Sequence, residues 1–238
     1  MSLSTAARVL VIIPTLNRPE MCRRAIQSLI KQDFKDWFLV IAKNGWTDHL
    51  KRYMKTFNDI LPLPNAVLSV LPQKGLAYAL NQSAHAYIKD FDYFAVLEDD
   101  DEWNPSFLST MVNFLDTTGF DVVNCLQTQK PTSKQQDGGP LNVSLIRLQN
   151  YINFPMCLFR SKLFEETDGF CEDAGPATDW DWQLQCIKAG AKYGFVPQRL
   201  VTHHWHDQNY CLLESNYEFI VRRIAEGAYG PAVKGLES

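Results

Sequence analysis

No CxxC pair occurs in the chain. Cys22, Cys125, Cys157, Cys171, Cys186 and Cys211 stand apart from one another, which excludes a zinc knuckle or a paired redox motif. Scattered thiols in a chain of this size fit reduced core cysteines and a cytoplasmic address. No apolar stretch is long enough to span a bilayer or to form a signal h-region; the run Val9 to Ile13 is far too short. A transmembrane segment is therefore not expected, and a peripheral position on the inner membrane face stays open. Basic clusters are missing too. Lys and Arg number 23 against 27 Asp and Glu, a net charge of -4, so no nucleic-acid partner is expected. Repeats and clear linkers are absent. With 238 residues, 46% of them hydrophobic, the chain is read as one domain, 1–238.

What is present alternates. RVLVIIPTLN reads as a buried strand, its apolar run Val9 to Ile13 broken by Pro14. In RPEMCRRAIQSLIKQ, Cys22, Ala25, Ile26, Leu29 and Ile30 recur at helical spacing, and Pro19 suits a first turn. Trp37 to Ala42 reads as a strand, Asp48 to Phe57 as a short helix and Ala66 to Leu71 as a strand. GLAYALNQSAHAYI reads as a helix and Asp92 to Glu98 as a fourth strand. This order predicts βαβ units, a mainly parallel sheet and ligands beyond the strands' carboxyl ends. The second half is less regular. Phe120 to Thr128, part of YINFPMCLFR, and Leu200 to His206 read as strands; Asp179 to Ala189 and Leu212 to Ala228 read as helices. Gln129 to Pro140, polar and rich in Gly and Pro, reads as a mobile loop able to close over a ligand.

The strongest chemical signal is LEDDDEW, Leu97 to Trp103. Like charges crowded at a strand end need neutralising, and a hard divalent cation does this with oxygen ligands shared with substrate phosphate. The plain alternative is a solvated turn capping a helix that starts near Pro105. THHWHDQN adds three of the chain's five histidines. If it is a strand, His204 and His206 share a face and His203 points the other way; imidazole can complete a metal shell begun by carboxylates.

Five segments together resemble glycosyltransferase family 2: IIPTLNRPEMCRRAIQSLIKQ, NGWTD, KGLAYALNQSAHAY, LEDDDEW and TDWDWQLQCIKAG. They stand in that family's order and spacing over roughly residues 8–206. The resemblance implies a GT-A fold, a Rossmann-like mixed, mainly parallel sheet flanked by helices. It implies a transferase that moves a sugar from a nucleotide-diphosphate donor to an acceptor hydroxyl on a carbohydrate, lipid-linked or protein substrate. It divides the chain into a nucleotide-sugar-binding half, about 8–103, and an acceptor-binding half, about 104–238, ending in a C-terminal helix.

The segment matching the family's DxD motif is Glu98-Asp99-Asp100. By position Asp100 inherits the metal, Mn²⁺ or Mg²⁺, with Asp101 helping; Glu98 stands near the ribose, with Asp99 beside it. His206, then His204, are the candidate imidazole ligands. The family's base is an aspartate at the start of a late helix. Asp179 matches it, with Asp181 the alternative, and an inverting displacement is implied. Asp is also a favoured N-cap. Trp180, Trp182, Trp205 and Tyr210 stand near these residues and suit sugar faces. Pro14, Thr15, Asn17 and Arg18 match the loop that lies along the nucleotide.

Several residues depart from the pattern. Lys43-Asn44-Gly45-Trp46-Thr47-Asp48 replaces Asp-Asp-Gly-Ser-Thr-Asp. Lys43 has no acceptor for a uracil imide, and Trp46 can stack on a base or sugar. Asn44 and Trp46 remain donor candidates. Leu80 takes the place of an arginine, and Lys74 can supply the missing charge. Gly75 permits close approach of backbone to ligand, and Asn81 is read as holding the acidic loop. Thr178 replaces the glutamate before the base. These departures favour a non-catalytic sugar-nucleotide-binding relative as one alternative. A sugar-phosphate nucleotidyltransferase is the other, although IPTLNRPE lacks that class's glycine-rich basic loop.

Overall fold

In the computed structural model, residues 8–45, 50–130, 137–207, 209 and 217–230 are described. The apolar run after Arg8 forms β1 (Val9–Thr15), buried along its whole length. A strand covered on both faces needs that continuous apolar sequence. It is flanked in parallel by β2 (Trp37–Lys43) and β4 (Tyr93–Val96), and β3 (Ala66–Val70) lies beyond β2. The second half adds β5 (Glu102–Trp103), β6 (Val122–Lys130), β7 (Cys157–Arg160) and β8 (Tyr193–His204). Together they make one eight-stranded sheet, ordered β3-β2-β1-β4-β7-β6-β8-β5. β7 runs antiparallel to both its neighbours, and β5 antiparallel to β8. The fold is thus mixed α/β with a mostly parallel sheet, as in GT-A glycosyltransferases.

The helices that pack on this sheet are α1 (Pro19–Ile30), α2 (Leu50–Thr56), α3 (Leu76–Tyr87), α4 (Phe107–Thr118), α5 (Val143–Ile146), α6 (Lys162–Glu166), α7 (Thr178–Lys188) and α8 (Tyr217–Ala225). In α1 the predicted stripe holds for Cys22, Ala25, Ile26 and Leu29, all fully buried, while Ile30 at the helix end is 37% exposed. No helix among the described residues is long and apolar enough to cross a membrane.

Register places the site. Ile12 lies opposite Val96 and Thr15 opposite Lys43, so the residues after β4 come level with the end of β1 and the loop that follows it. α1 then grips the acidic run from one side. Arg24, Ser28 and Gln32 recur every four residues and share a face. Arg24 Nη2 donates to the Asp100 carbonyl (2.7 Å), the Trp103 amide donates to Ser28 Oγ (3.0 Å), and Gln32 Nε2 donates to the Asn104 carbonyl (2.7 Å).

Two sequence readings shift. The last strand begins at Tyr193 and ends at His204 rather than spanning Leu200 to His206. Gly194, Pro197, Gln198 and Arg199 interrupt its apolar residues, which hides it from an apolar pattern. Gln129 and Lys130 complete β6 rather than opening a mobile loop. At the loop's other end Asp137 and Gly139 are tied down: the Gln127 amide donates to the Asp137 carbonyl (2.8 Å) and Asn124 Nδ2 to the Gly139 carbonyl (2.7 Å). Residues 131–136 lie outside the described residues.

Candidate active site

Asp99 and Asp100 leave β4 almost fully buried. Arg18, at the start of α1, spans both: Nη2 lies 2.5 Å from Asp99 Oδ1, Nε 3.3 Å from Asp99 Oδ2, and Nη1 2.9 Å from Asp100 Oδ2. The loop carrying Arg18 is fixed by Tyr53 of α2. Its hydroxyl bonds Thr15 Oγ1 at 2.9 Å and accepts from the Arg18 amide at 3.1 Å. Between them Asn17 adopts φ 58°, a left-handed conformation that asparagine tolerates.

Each acid that follows faces a histidine. His206 Nε2 lies 3.0 Å from Asp100 Oδ2, His203 Nδ1 3.0 Å from Asp101 Oδ1, and His204 Nε2 2.8 Å from Glu102 Oε1. Asp100 Oδ1 is buried and has no hydrogen-bond partner among the described residues. Glu98, Asp101 and His203 offer ligand atoms all within 4.8 Å of one another.

This corrects the histidine reading. β8 stops at His204, so the alternation of a strand does not continue to His206, which returns to Asp100 from the following turn. His203 faces the cluster, whereas His204 is taken by Glu102. The sequence reading passed over His203 because it extended the strand two residues too far.

The carboxyls are held against their charged forms. Burial, then Asp101, Asp100 and Asp179, push Glu98 well above the usual range. Burial lifts Asp99 to about 7, against the pull of Arg18, and raises Asp101 against His203. The cations present thus leave these acids short of neutralising charge, the condition a divalent cation relieves.

Asp179 opens α7 near the same acids. Asn150 Nδ2 and the Trp180 amide donate to its two oxygens at 2.9 and 2.8 Å, and burial raises its carboxyl to about 6. Asp181 is elsewhere. It is fully buried, with Oδ1 held by the Tyr229 hydroxyl (2.5 Å) and Arg223 (3.2 Å) and Oδ2 by Gln185 (2.6 Å). It serves as an internal anchor for the turn after α8. Asn150 and Tyr53 carried no signal in the sequence, because each acts through a contact distant along the chain.

On the donor side Pro14 is buried within β1 and Asn17 is exposed. Asn44 joins two loops, its amide donating to the Thr15 carbonyl (2.9 Å) and its Oδ1 accepting from the Gly75 amide (2.8 Å). Gly75 at φ 147° and Gly45 at φ 83° need glycine's freedom, and a Cβ on Gly45 would meet the Lys74 side chain at 2.9 Å. Lys43 is fully buried beneath this loop and donates to the Gly45 carbonyl at 2.7 Å. Trp46 and Tyr210 lie outside the described residues. Asn81 does not reach the acidic loop. It pins the segment before α7, accepting from the Phe170 amide (2.9 Å) and donating to the Phe170 carbonyl (2.8 Å). Trp182 is core, its ring centroid 4.5 Å from that of Phe170 and tilted 37° to it, and Trp180 is buried with its indole on the Ile146 carbonyl. Trp205 is half-buried, edge-on to His203, and donates to Gln129.

Residues 10–170 match the family model described as glycosyl transferase family 2. The putative colanic acid biosynthesis glycosyl transferase WcaA of Escherichia coli (strain K12) is 30% identical over 106 residues, 43% of this chain and 36% of that protein. The chain also resembles S. aureus TarS 1-349 in complex with UDP-GlcNAc, with TM-score 0.76 and 16% identity over 95% of this chain and 68% of that one. The mannosyltransferase PcManGT from Pyrobaculum calidifontis, in complex with GDP-Man and Mn²⁺, gives TM-score 0.73 and 17% identity over 98% and 68%. At those identities the two structures speak for the fold. The chain spans about a third of the length of the E. coli relative.

Proposed function

The chain belongs to glycosyl transferase family 2, and from that membership we propose that it transfers a sugar from a nucleotide-diphosphate donor to an acceptor hydroxyl, using a divalent cation held at the tip of β4. The observation that carries this reading is the cluster of Glu98, Asp101 and His203 ligand atoms beside buried Asp100, whose Oδ1 has no partner among the described residues. Its residues fit a hard cation: Glu98, Asp101 and His203 gather two carboxylates and an imidazole, and Asp100 adds its partnerless Oδ1 among the described residues. When bound, the ion offsets diphosphate charge as the leaving group departs. Mn²⁺ and Mg²⁺ both suit such a set, and the structurally similar mannosyltransferase in complex with GDP-Man and Mn²⁺ supports the choice.

The protein's own groups divide the remaining work. Asn17, exposed after β1, and the close backbone at Gly75 lie beyond the strand ends where the nucleotide would lie, while Thr15 and Asn44, both buried, hold those loops through Tyr53 and the Gly75 amide. Lys74 adds a positive charge at that edge. Asp179 takes the proton of the acceptor hydroxyl. A carboxyl at about 6 is ionised at neutral pH yet basic enough to accept a proton in the transition state. One base on the acceptor side, with no second nucleophile assigned, supports inversion at the anomeric carbon. Residues 8–103 form the donor-binding half and 104–238 the acceptor-binding half. The likeness to a relative named for colanic acid biosynthesis supports a carbohydrate acceptor in polysaccharide assembly.

The test is a panel of UDP- and GDP-sugars with Mn²⁺ or Mg²⁺ and candidate acceptors, following nucleoside diphosphate release. Metal-dependent release that rises with acceptor supports transfer. Donor binding without turnover points to a binding relative, as the substitutions at Lys43 and Thr178 would allow. Consumption of nucleoside triphosphate and sugar phosphate identifies a nucleotidyltransferase.

A further inference from the structure

The guanidinium of Arg18 engages Asp99 as a fork, through Nε and Nη2, and reaches Asp100 with the remaining nitrogen, Nη1. Its side chain is 23% exposed while those of Asp99 and Asp100 are 1% and 4% exposed, so Arg18 covers the two acids on the side open to solvent. The backbone around this contact is fixed at both ends. Tyr53 holds the Arg18 amide and Arg24 holds the Asp100 carbonyl. With Arg18 forked on Asp99, the contact with Asp100 therefore breaks by rotation of the Asp100 carboxylate, whose Oδ1 has no partner among the described residues.

We propose that Arg18 is an exchangeable counter-ion. It neutralises Asp100 while no divalent cation is bound, releases Asp100 when the cation arrives, and stays forked on Asp99 with Nη1 left facing the donor's diphosphate. The proposal rests on the metal reading of the site above and adds a partner exchange to it. A planar guanidinium with two nitrogens anchored keeps its orientation when the third is freed. The diphosphate thus meets a donor already aimed at it from the carboxyl end of β1. Metal and nucleotide are coupled through one side chain: the cation frees the nitrogen that the nucleotide then uses.

The experiment measures Mn²⁺ binding to the full chain by the loss of free-Mn²⁺ EPR signal, without nucleotide, and then UDP and GDP binding at saturating Mn²⁺ by calorimetry. Wild type, Arg18→Gln and Arg18→Lys are compared, each checked for an intact thermal transition. Loss of the competing charge in Arg18→Gln tightens Mn²⁺ binding on the order of tenfold and weakens nucleotide binding by a similar factor. Arg18→Lys keeps the charge without the fork and falls between wild type and Arg18→Gln in both measurements. A purely structural role moves both affinities in the same direction, downward. Mn²⁺ affinity unchanged or weakened in both variants, with wild-type binding intact, overturns the exchange alone. Absence of Mn²⁺ binding in wild type overturns the metal site and the exchange together. Should Arg18→Gln fail to fold, the Arg18→Lys ordering decides.

Discussion

His203 Nδ1 straddles the Asp101 carboxylate, 3.0 Å from Oδ1 and 3.1 Å from Oδ2, across 102 residues of chain. Two backbone pairs make this possible. β5 lays Glu102 against Thr202 and Trp103 against Val201, so the acidic run and the end of β8 are zipped together one residue from the contact. The His204 amide adds a 3.2 Å bond to Asp101 Oδ1. Asp101 and His203 form a preset pair beside Glu98.

That pairing separates the histidines. His203→Ala is expected to weaken Mn²⁺ binding by roughly 10–100-fold. His204→Ala, which loses only the contact to Glu102, is expected to leave it within about twofold. Calorimetric titration with Mn²⁺ reads both, and the reverse ordering would falsify the assignment of His203.

Asp179→Asn should retain donor affinity and lose transfer by roughly 10²–10⁴. In wild type, burial holds this carboxyl at about 6, and the base works only when ionised. The rate constant kcat/KM is therefore expected to fall as pH drops through 6 or slightly below, since a bound cation favours the ionised form. A wild-type profile flat from pH 5 to 8 would move the base to another residue.

The same burial predicts a stability signature. The folded-state value of about 6 lies above the ordinary 3.8, so the folded chain binds this proton more tightly than the unfolded one. The contribution is fully present below pH 3.8 and is lost as pH rises through 6, up to about 3 kcal/mol. Asp179→Asn cannot lose it. The stability of the Asn variant relative to wild type is thus expected to improve by about 1–3 kcal/mol between pH 4 and pH 8 in urea unfolding. A constant difference at the two pH values would contradict it.

Asn81→Ala removes both bonds to Phe170 and leaves that buried backbone short of partners. A loss of about 1–3 kcal/mol is expected, with Mn²⁺ affinity unchanged. Urea unfolding and metal titration on one preparation separate the two effects. Weakened metal binding at unchanged stability would return Asn81 to the acidic loop.

Much of the first half was legible in the sequence because its signals are local. Val9 to Ile13 is an uninterrupted apolar run, and the spacing of Cys22, Ala25, Ile26 and Leu29 is helical, so strand, helix and the acids at the tip of β4 follow from short windows. What escaped is long-range. Two-residue β5 is too short for any periodicity. Asp181 stands in sequence as the alternative to Asp179, but its partner Tyr229 lies 48 residues on. Asn81 is read from sequence as holding the acidic loop, but its partner Phe170 is 89 residues away. The histidine assignment turned on where β8 ends, and alternation along a strand gives no sign of its last residue.

The most direct test is anomalous scattering from crystals of the full chain soaked with Mn²⁺ and a sugar nucleotide. A manganese peak in coordination contact with Asp100 and Asp101, with the diphosphate beside it and the same peak lost in Asp100→Ala, is the predicted result. A diphosphate bound elsewhere, or bound here with no manganese at those carboxylates, contradicts the account.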